Sequence, residues 1–413
     1  MRCRHCDSPV SLSLIDLSSA PPSNAYLSPS DLNKPEVWLP LRVDVCESCW
    51  LVQTEDVADA ESLFHAEYAY FSGISRTWHR HCEAYAEAMI ERFRLNASSH
   101  VVEVAANDGT LLSYFQTRGV GCLGIEPTSA TARSAREKGI DIEEAFFGDS
   151  LAQRLASEGR QADLIAANNV LAHVPNINDF LRGFASLLKP EGVATFEFPH
   201  VVNMIEQTQF DTIYHEHFSY LSLTTVRRMC EANGLRVFDV EKLATHGGSL
   251  RVYAHRADQP ARHATPLLQQ LLAEEAHKGV CAPAFYQAFQ SRADRIKRDL
   301  LTYLINAKQA GKVIAGYGAA AKGNTLLNYA GVRSDLLSCV ADRSAAKQGL
   351  YLPGSRIPIV SEQALIDMRP DAVLILPWNL RDEVVEQLSA SLDESTVYLT
   401  AVPELQEVAC AAS

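Results

Sequence analysis

The chain has 413 residues, 47% hydrophobic and 21% charged, which predicts a folded protein of two or three domains rather than one core. Its net charge of −13 and the lack of any Lys/Arg run exclude nucleic acid as an expected partner, because a duplex binder presents a basic face to the phosphates. No apolar run approaches the ~18 residues of a membrane span and none follows Met1, so no membrane partner and no secretory signal are expected, and the expected location is cytoplasmic.

In chain order, the first signal is cysteine. Ten are present, and in a reducing compartment they should not build a disulfide framework. Four form two CxxC pairs, Cys3 with Cys6 and Cys46 with Cys49, and 39 residues separate the pairs. Each pair makes a tight knuckle that aims two thiolates at one point, and two knuckles complete a tetrahedral sulfur set suited to Zn2+. Four thiolates leave no open position, so the zinc is expected to be structural and His5 a bystander. The alternative is a pair of reduced, unligated turns. The other six cysteines read as small buried hydrophobes.

Residues 1 to about 60 are rich in turn formers and poor in helical periodicity. A helix is predicted over 76–93, where apolar residues recur at intervals of three and four. Short buried strands are then predicted at 101–104, 122–125, 164–166 and 193–196, with helices at 151–157 and 177–188 between them. That alternation predicts a doubly wound, mainly parallel sheet. A polar helical stretch runs over 266–310, and strands resume at 313–315, 337–340 and 373–376 as a second α/β unit. The expected fold class is α/β in three domains: 1–65 (zinc-binding), 66–260 (doubly wound sheet) and 261–413 (Rossmann-like).

The segment Val101-Val102-Glu103-Val104-Ala105-Ala106-Asn107-Asp108-Gly109 runs from a strand into a turn, and Glu126 closes the next strand. A helix N-terminus offers free amides to a carboxylate, and an acid ending the second strand can accept both ribose hydroxyls. The loop resembles motif I of class I methyltransferases, with Ala105 in place of the first glycine, which leaves slightly less room at the cofactor. Asn168 to His173, after the fourth strand, resemble a later motif of those enzymes. The likeness implies that Glu103, Asn107, Asp108, Gly109 and Asn168 line S-adenosylmethionine and that Glu126 holds its ribose. Phe147 packs on the adenine or, alternatively, in the core.

Asp211-Thr212-Ile213-Tyr214-His215-Glu216-His217-Phe218-Ser219-Tyr220 gathers two histidines, a glutamate and two tyrosines in ten residues. A histidine can remove an activated proton, and a phenol or second histidine can donate to a developing oxyanion. His215-x-His217 could instead hold metal, although no third ligand is evident, and a purely structural cluster is a further alternative.

With these residues in view the chain is similar to the sugar C-methyltransferases of deoxysugar pathways. The resemblance includes both CxxC pairs, Glu67-Tyr68-Ala69-Tyr70-Phe71-Ser72, Phe196-Glu197-Phe198-Pro199-His200 and Tyr214-His215-Glu216-His217. It continues through Thr245-His246-Gly247-Gly248-Ser249-Leu250-Arg251 and Gly316-Tyr317-Gly318-Ala319-Ala320-Ala321-Lys322-Gly323-Asn324. It implies methyl transfer from S-adenosylmethionine to the carbon beside the ketone of a nucleotide-linked 4-keto-6-deoxyhexose, C3 favoured, through an enolate. By the resemblance His217 is the base, Tyr214 and His173 are candidates for the enolate oxygen, Glu216 orients its neighbours, and Tyr68 and Tyr70 close over the reactants. Lys322, Asn324, Tyr317, His200, Arg251 and Arg356 are the candidate substrate-binding residues, and a monomer is expected.

Gly316-x-Gly318-x-x-Ala321 also follows a strand and precedes a helix, with Asp342 ending the next strand. This satisfies a dinucleotide fingerprint, so an NAD-dependent sugar-nucleotide oxidoreductase is a rival reading. A non-catalytic zinc-ribbon scaffold is another.

Overall fold

The computed structural model describes residues 1–57, 73, 76–260 and 262–408. Tyr68 and Tyr70 lie outside them. Strands β1 (Leu12–Ala20), β2 (Leu39–Val45) and β3 (Val52–Thr54) form an antiparallel sheet. Its fourth strand comes from much later in the chain, β9 (Ser219–Tyr220), which pairs Val52 with Tyr220 and Gln53 with Ser219.

Helix α1 (Arg76–Phe93) matches the predicted span. The middle sheet follows: β4 (His100–Val104), α2 (Thr110–Gln116), β5 (Gly121–Ile125), α3 (Ser129–Glu137), β6 (Ile142–Glu143), α4 (Asp149–Ser157), β7 (Ala162–Asn168), α5 (Ile177–Leu187) and β8 (Leu188–Pro199). After α6 (Val201–Glu206), β9 and α7 (Leu223–Ala232), strands β10 (Leu235–Leu243) and β11 (Ser249–Arg256) complete seven strands in the order β10-β11-β8-β7-β4-β5-β6. All neighbours are parallel except β11, which runs antiparallel to both β8 and β10. Successive residues of the central strands enter opposite cores: Val102, Val104, Ile165 and Ala167 face α4 and α5, whereas Val101, Leu164 and Ala166 face α1 and α2. A sheet covered on both faces explains why its strands read as short apolar runs.

The expected single helical stretch over 266–310 is two helices, α8 (Pro266–Lys278) and α9 (Phe289–Gln309). Thr265 caps α8 by accepting the Leu268 amide, Pro266 opens it, and Gly279 ends it in the left-handed conformation. Leu268 and Leu271 of α8 pack in the core of the middle sheet. The C-terminal unit comprises β12 (Ile314–Tyr317), α10 (Ala321–Ala330), β13 (Val340–Ala341), β14 (Ile359–Val360), α11 (Glu362–Met368), β15 (Ala372–Ile375), α12 (Arg381–Ser389), β16 (Val397–Thr400) and β17 (Gln406–Val408). Its sheet order is β14-β13-β12-β15-β16-β17, parallel except for the last pair. Ile15 and Val43 of the N-terminal sheet share one core with Leu326 and Leu374 of this unit, and with Phe210 and Ile213 of the loop before β9.

Candidate active site and metal centre

The two knuckles meet as expected: the four Sγ atoms of Cys3, Cys6, Cys46 and Cys49 lie within 4.8 Å of one another. The nearest pairs, Cys3–Cys49 at 3.5 Å and Cys6–Cys46 at 3.6 Å, are close to the ~3.8 Å sulfur–sulfur edge of a tetrahedron with ~2.3 Å zinc–sulfur bonds. His5 turns away, its Nδ1 meeting Asn178 Oδ1 at 2.8 Å. Arg4, between the knuckle ligands, donates to the Thr54 carbonyl at 2.7 Å and lies over the Phe218 ring. The metal knuckle is thereby tied to the loop that carries the histidines. Among the described residues this is the only group of three or more His, Cys, Asp or Glu side chains arranged to hold a metal.

At the carboxyl edge of the middle sheet the first loop alternates between hands. Ala105, Asn107 and Gly109 have φ of 58°, 50° and 73°. Gly109 is needed for this conformation and for packing, since a Cβ there would come within 3.0 Å of Ala135 Cβ. Glu126 accepts the amides of Asn107 and Thr128, both at 2.9 Å, so its carboxylate stands fixed beside the loop. Glu103 is buried with Oε2 lacking a partner among the described residues, and burial, then Asp108 and Glu126, raise its pKa well above the usual carboxylate range. Asn168 has both side-chain polar atoms buried without a partner among the described residues. A cationic, polar ligand is what such a cradle lacks, and S-adenosylmethionine fits that description. Lys138 and Asp108 pair at 3.0 Å at its rim.

The partly exposed Phe147 packs its ring edge-on against Phe180 and Phe184 at 5.5 and 5.1 Å.

The histidine loop is built from backbone carbonyls. His217 Nδ1 lies 2.8 Å from the Thr212 carbonyl and His173 Nδ1 lies 2.7 Å from that of Glu216. A carbonyl only accepts, so each neutral ring carries its proton on Nδ1 and its lone pair on Nε2. Burial, then His173, holds His217 well below its ordinary pKa; burial likewise lowers His173. The two rings lie 4.7 Å apart, and Tyr214 covers His217 at 3.9 Å. With its proton on Nδ1, a neutral His173 presents a lone pair rather than a proton at Nε2. Glu216 is buried, raised by burial, and accepts from Asn24 at 3.0 Å. His215 Nε2 meets the Pro40 carbonyl at 3.1 Å and fastens the loop to the N-terminal sheet.

Lys322 borders the same loop. It donates to Asn379 at 2.8 Å and lies 4.4 Å from the centre of the Trp378 ring, beside a cleft of about 280 Å3 lined by Gly247, Trp378, Asn379 and Arg381. Burial lowers its pKa against the opposing pull of Asp211.

The other expected substrate residues are engaged elsewhere. Asn324 is buried and spends its amide hydrogen on the Ser23 carbonyl at 2.6 Å. Tyr317 bonds Glu362 and Gln387 within the C-terminal unit. His200 and Glu275 pair at 2.7 Å, and Glu275 also accepts the amides that open α7. Arg251 is buried between Glu197 and Glu241, at 3.0 and 2.9 Å, over the Tyr85 ring. Arg356 holds Glu36 and the carbonyls of Leu32 and Lys34.

Three groups that sequence reasoning missed lie at the site's edge: His81, Glu197 and His246. His81 reaches Glu197 at 2.7 Å, and although burial pushes Glu197 up, His81 and Arg251 outweigh it and hold the carboxylate below its usual range. His246, at a φ of 54°, is lowered to about 4 by burial, then by Lys322. An acid between two phenylalanines in a buried strand was the available signal for Glu197; a histidine on α1, beside His79 and without any motif around it, offered none for His81.

Fold and site define a methyltransferase. Family models agree along the chain: a candidate zinc binding domain over residues 3–64, a methyltransferase domain over 78–240 and a C-methyltransferase C-terminal domain over 244–403. The C-methyltransferase NovU of Streptomyces niveus is 32% identical over 404 residues, 97% of this chain and 95% of that one. The chain belongs to the C-methyltransferase family, with S-adenosylmethionine and structural zinc as its cofactors. A ubiquinone biosynthesis O-methyltransferase of Stutzerimonas stutzeri is 29% identical over 146 residues, 32% of this chain and 62% of that one. The solved magnesium protoporphyrin IX methyltransferase (ChlM) of Synechocystis PCC 6803, with bound SAM, has a TM-score of 0.37 at 13% identity, covering 49% of this chain and all of that one. No helix among the described residues is long and apolar enough to cross a membrane.

Proposed function

We propose that the protein methylates the carbon beside the ketone of a nucleotide-linked 4-keto-6-deoxyhexose, C3 favoured, with S-adenosylmethionine as donor. The observation that carries this reading is the 2.8 Å contact of His217 Nδ1 with the Thr212 carbonyl: a half-buried imidazole of lowered pKa with Nδ1 committed to a carbonyl presents Nε2 as a base. The sugar's α C–H bond breaks toward Nε2, and its electron pair becomes the enolate. Tyr214, stacked on His217, is the phenol donor to the enolate oxygen, a role that His173 cannot fill while neutral. S-adenosylmethionine supplies an electrophilic sulfonium methyl. The enolate carbon then forms the new C–C bond as the C–S bond breaks, and the ketone is restored. Glu103, Glu126 and Asn168 hold the donor at the sheet edge. Lys322 and Asn379 face the cleft as donors suited to the diphosphate, with Trp378 beside them.

The NAD-dependent rival would give the ribose hydroxyls to Asp342, which accepts the amides of Ala319 and Ser344 at 2.8 Å each; the C-methyltransferase relative and family model weigh against that reading. Tyr26 and Lys347 cap the same loop at the Ala319 carbonyl.

Calorimetric titration with S-adenosylhomocysteine should show micromolar binding, and NAD+ should show none. His217→Ala should keep that affinity and lose at least ~100-fold in turnover of keto-deoxyhexose nucleotides. Turnover like the wild type's would remove His217 as the base, and NAD+ binding alone would move the chemistry to the C-terminal unit.

A further inference from the structure

The turn that orients the base is gripped from the C-terminal unit. Trp378 Nε1 donates to Asp211 Oδ2 at 2.8 Å, and Thr325 Oγ1, on α10, donates to the Ile213 carbonyl at 2.7 Å. These two residues flank Thr212, whose carbonyl holds His217 Nδ1. Asp211 is fully buried and its second oxygen has no partner among the described residues, so the Trp378 bond is what anchors the side chain. Gly247 lets Trp378 come this close: a Cβ there would lie 2.5 Å from the indole ring. The indole also carries Lys322 on its face.

We propose that Trp378 and Thr325 are positioning residues for proton transfer: the C-terminal unit clamps the 211–213 turn from both sides and so fixes the tautomer and direction of the His217 imidazole. The inference rests on His217 being the base, and it gives the C-terminal unit a role in chemistry besides holding substrate. Closing a bonded turn on both flanks leaves the Thr212 carbonyl one direction, and a tautomer held by one carbonyl is lost when that carbonyl rotates. Because Trp378 lies between Lys322 and Asp211, an anion drawn to Lys322 would press on the same clamp.

The test uses the full-length zinc-loaded protein with Trp378→Phe, which keeps the ring but not its N–H, and Thr325→Val, which keeps the shape but not the hydroxyl. The primary readout is nitrogen NMR of labelled histidine, with the His217 signals assigned by their loss in His217→Gln. The wild type should show a single tautomer protonated at Nδ1, and the double variant a mixture of both. With whichever thymidine-, cytidine- or guanosine-diphosphate 4-keto-6-deoxyhexose the wild type methylates, kcat should fall ~10-fold or more while KM stays within about twofold. S-adenosylhomocysteine affinity and zinc content should be unchanged. A single Nδ1 tautomer with unaltered kcat in the double variant would overturn the inference. If the double variant loses zinc or cofactor binding, Thr325→Val alone decides by the same two readouts. A fully active His217→Ala would instead retire the base assignment, and the NMR result would still show whether the clamp sets the tautomer.

Discussion

Ala105 shows how one side chain carries both a local cost and a functional position. Its φ of 58° lies in the left-handed region, where the Cβ of an L-residue crowds the carbonyl at about 1–2 kcal/mol. The relaxed substitution is Ala105→Gly. It should raise unfolding stability by about 1 kcal/mol, because glycine's greater freedom in the unfolded chain offsets part of the relieved strain. Chemical denaturation with an unchanged slope checks it, and a lower midpoint would mean that the Cβ makes packing contacts worth more than the strain. The same scale separates His217 from His173. Burial lowers the pKa of both, and each has its Nδ1 on a backbone carbonyl, so the roles we propose for them differ by where each Nε2 meets the substrate. Sequence supplied the residue types at this site; the backbone carbonyls that set their tautomers are tertiary facts.

At the scale of elements, Glu275 of α8 joins three pieces of chain. It accepts the Leu223 and Thr224 amides at the start of α7 at 2.8 and 2.7 Å and pairs with His200 before α6 at 2.7 Å. Glu275→Ala should strand two helix-end amides and a buried imidazole, destabilising the protein by about 3 kcal/mol, measured as a shift in denaturant midpoint. A shift under half that would show that water replaces the carboxylate easily. This contact and the burial of Leu268 and Leu271 pack α8 on the middle sheet. The elements that were legible share one property: their signal is local. The buried strands at 101–104, 122–125 and 164–166 stand as apolar runs, and α1 shows its period over 18 residues. The N-terminal sheet was illegible because β1 is flanked by serines and because its last strand is two residues from position 219. Phe196-Glu197-Phe198 read as a plain strand. Only the fold brings His81 and Arg251 to its acid.

Across the whole molecule, the zinc centre and the proposed base, His217, are parts of one lever. The knuckle's Arg4 holds the Thr54 carbonyl, the Thr54 amide donates to Phe218 at 3.2 Å, and Thr54 Oγ1 donates to the His217 carbonyl at 3.3 Å. β9, directly after His217, is the fourth strand of the sheet that the knuckles fasten. From the other side, the C-terminal unit holds the same loop at Asp211 and Ile213. The donor cradle, by contrast, is made by β4, β5, β7 and the loops after them. Structural zinc contributes folding free energy directly, about 10–16 kcal/mol in small zinc domains. Removing it should therefore release β3 and β9 before it disturbs the cradle. Stripping the metal with a chelator, or Cys49→Ser, should lower turnover by far more than it lowers S-adenosylhomocysteine affinity. Parallel metal analysis, calorimetry and turnover on one preparation make the comparison. Equal losses in binding and turnover would mean that zinc supports the molecule as a whole, because Cys3, Cys46 and Cys49 share a hydrophobic core with the middle sheet. Full turnover without metal would break the proposed connection from knuckle to base.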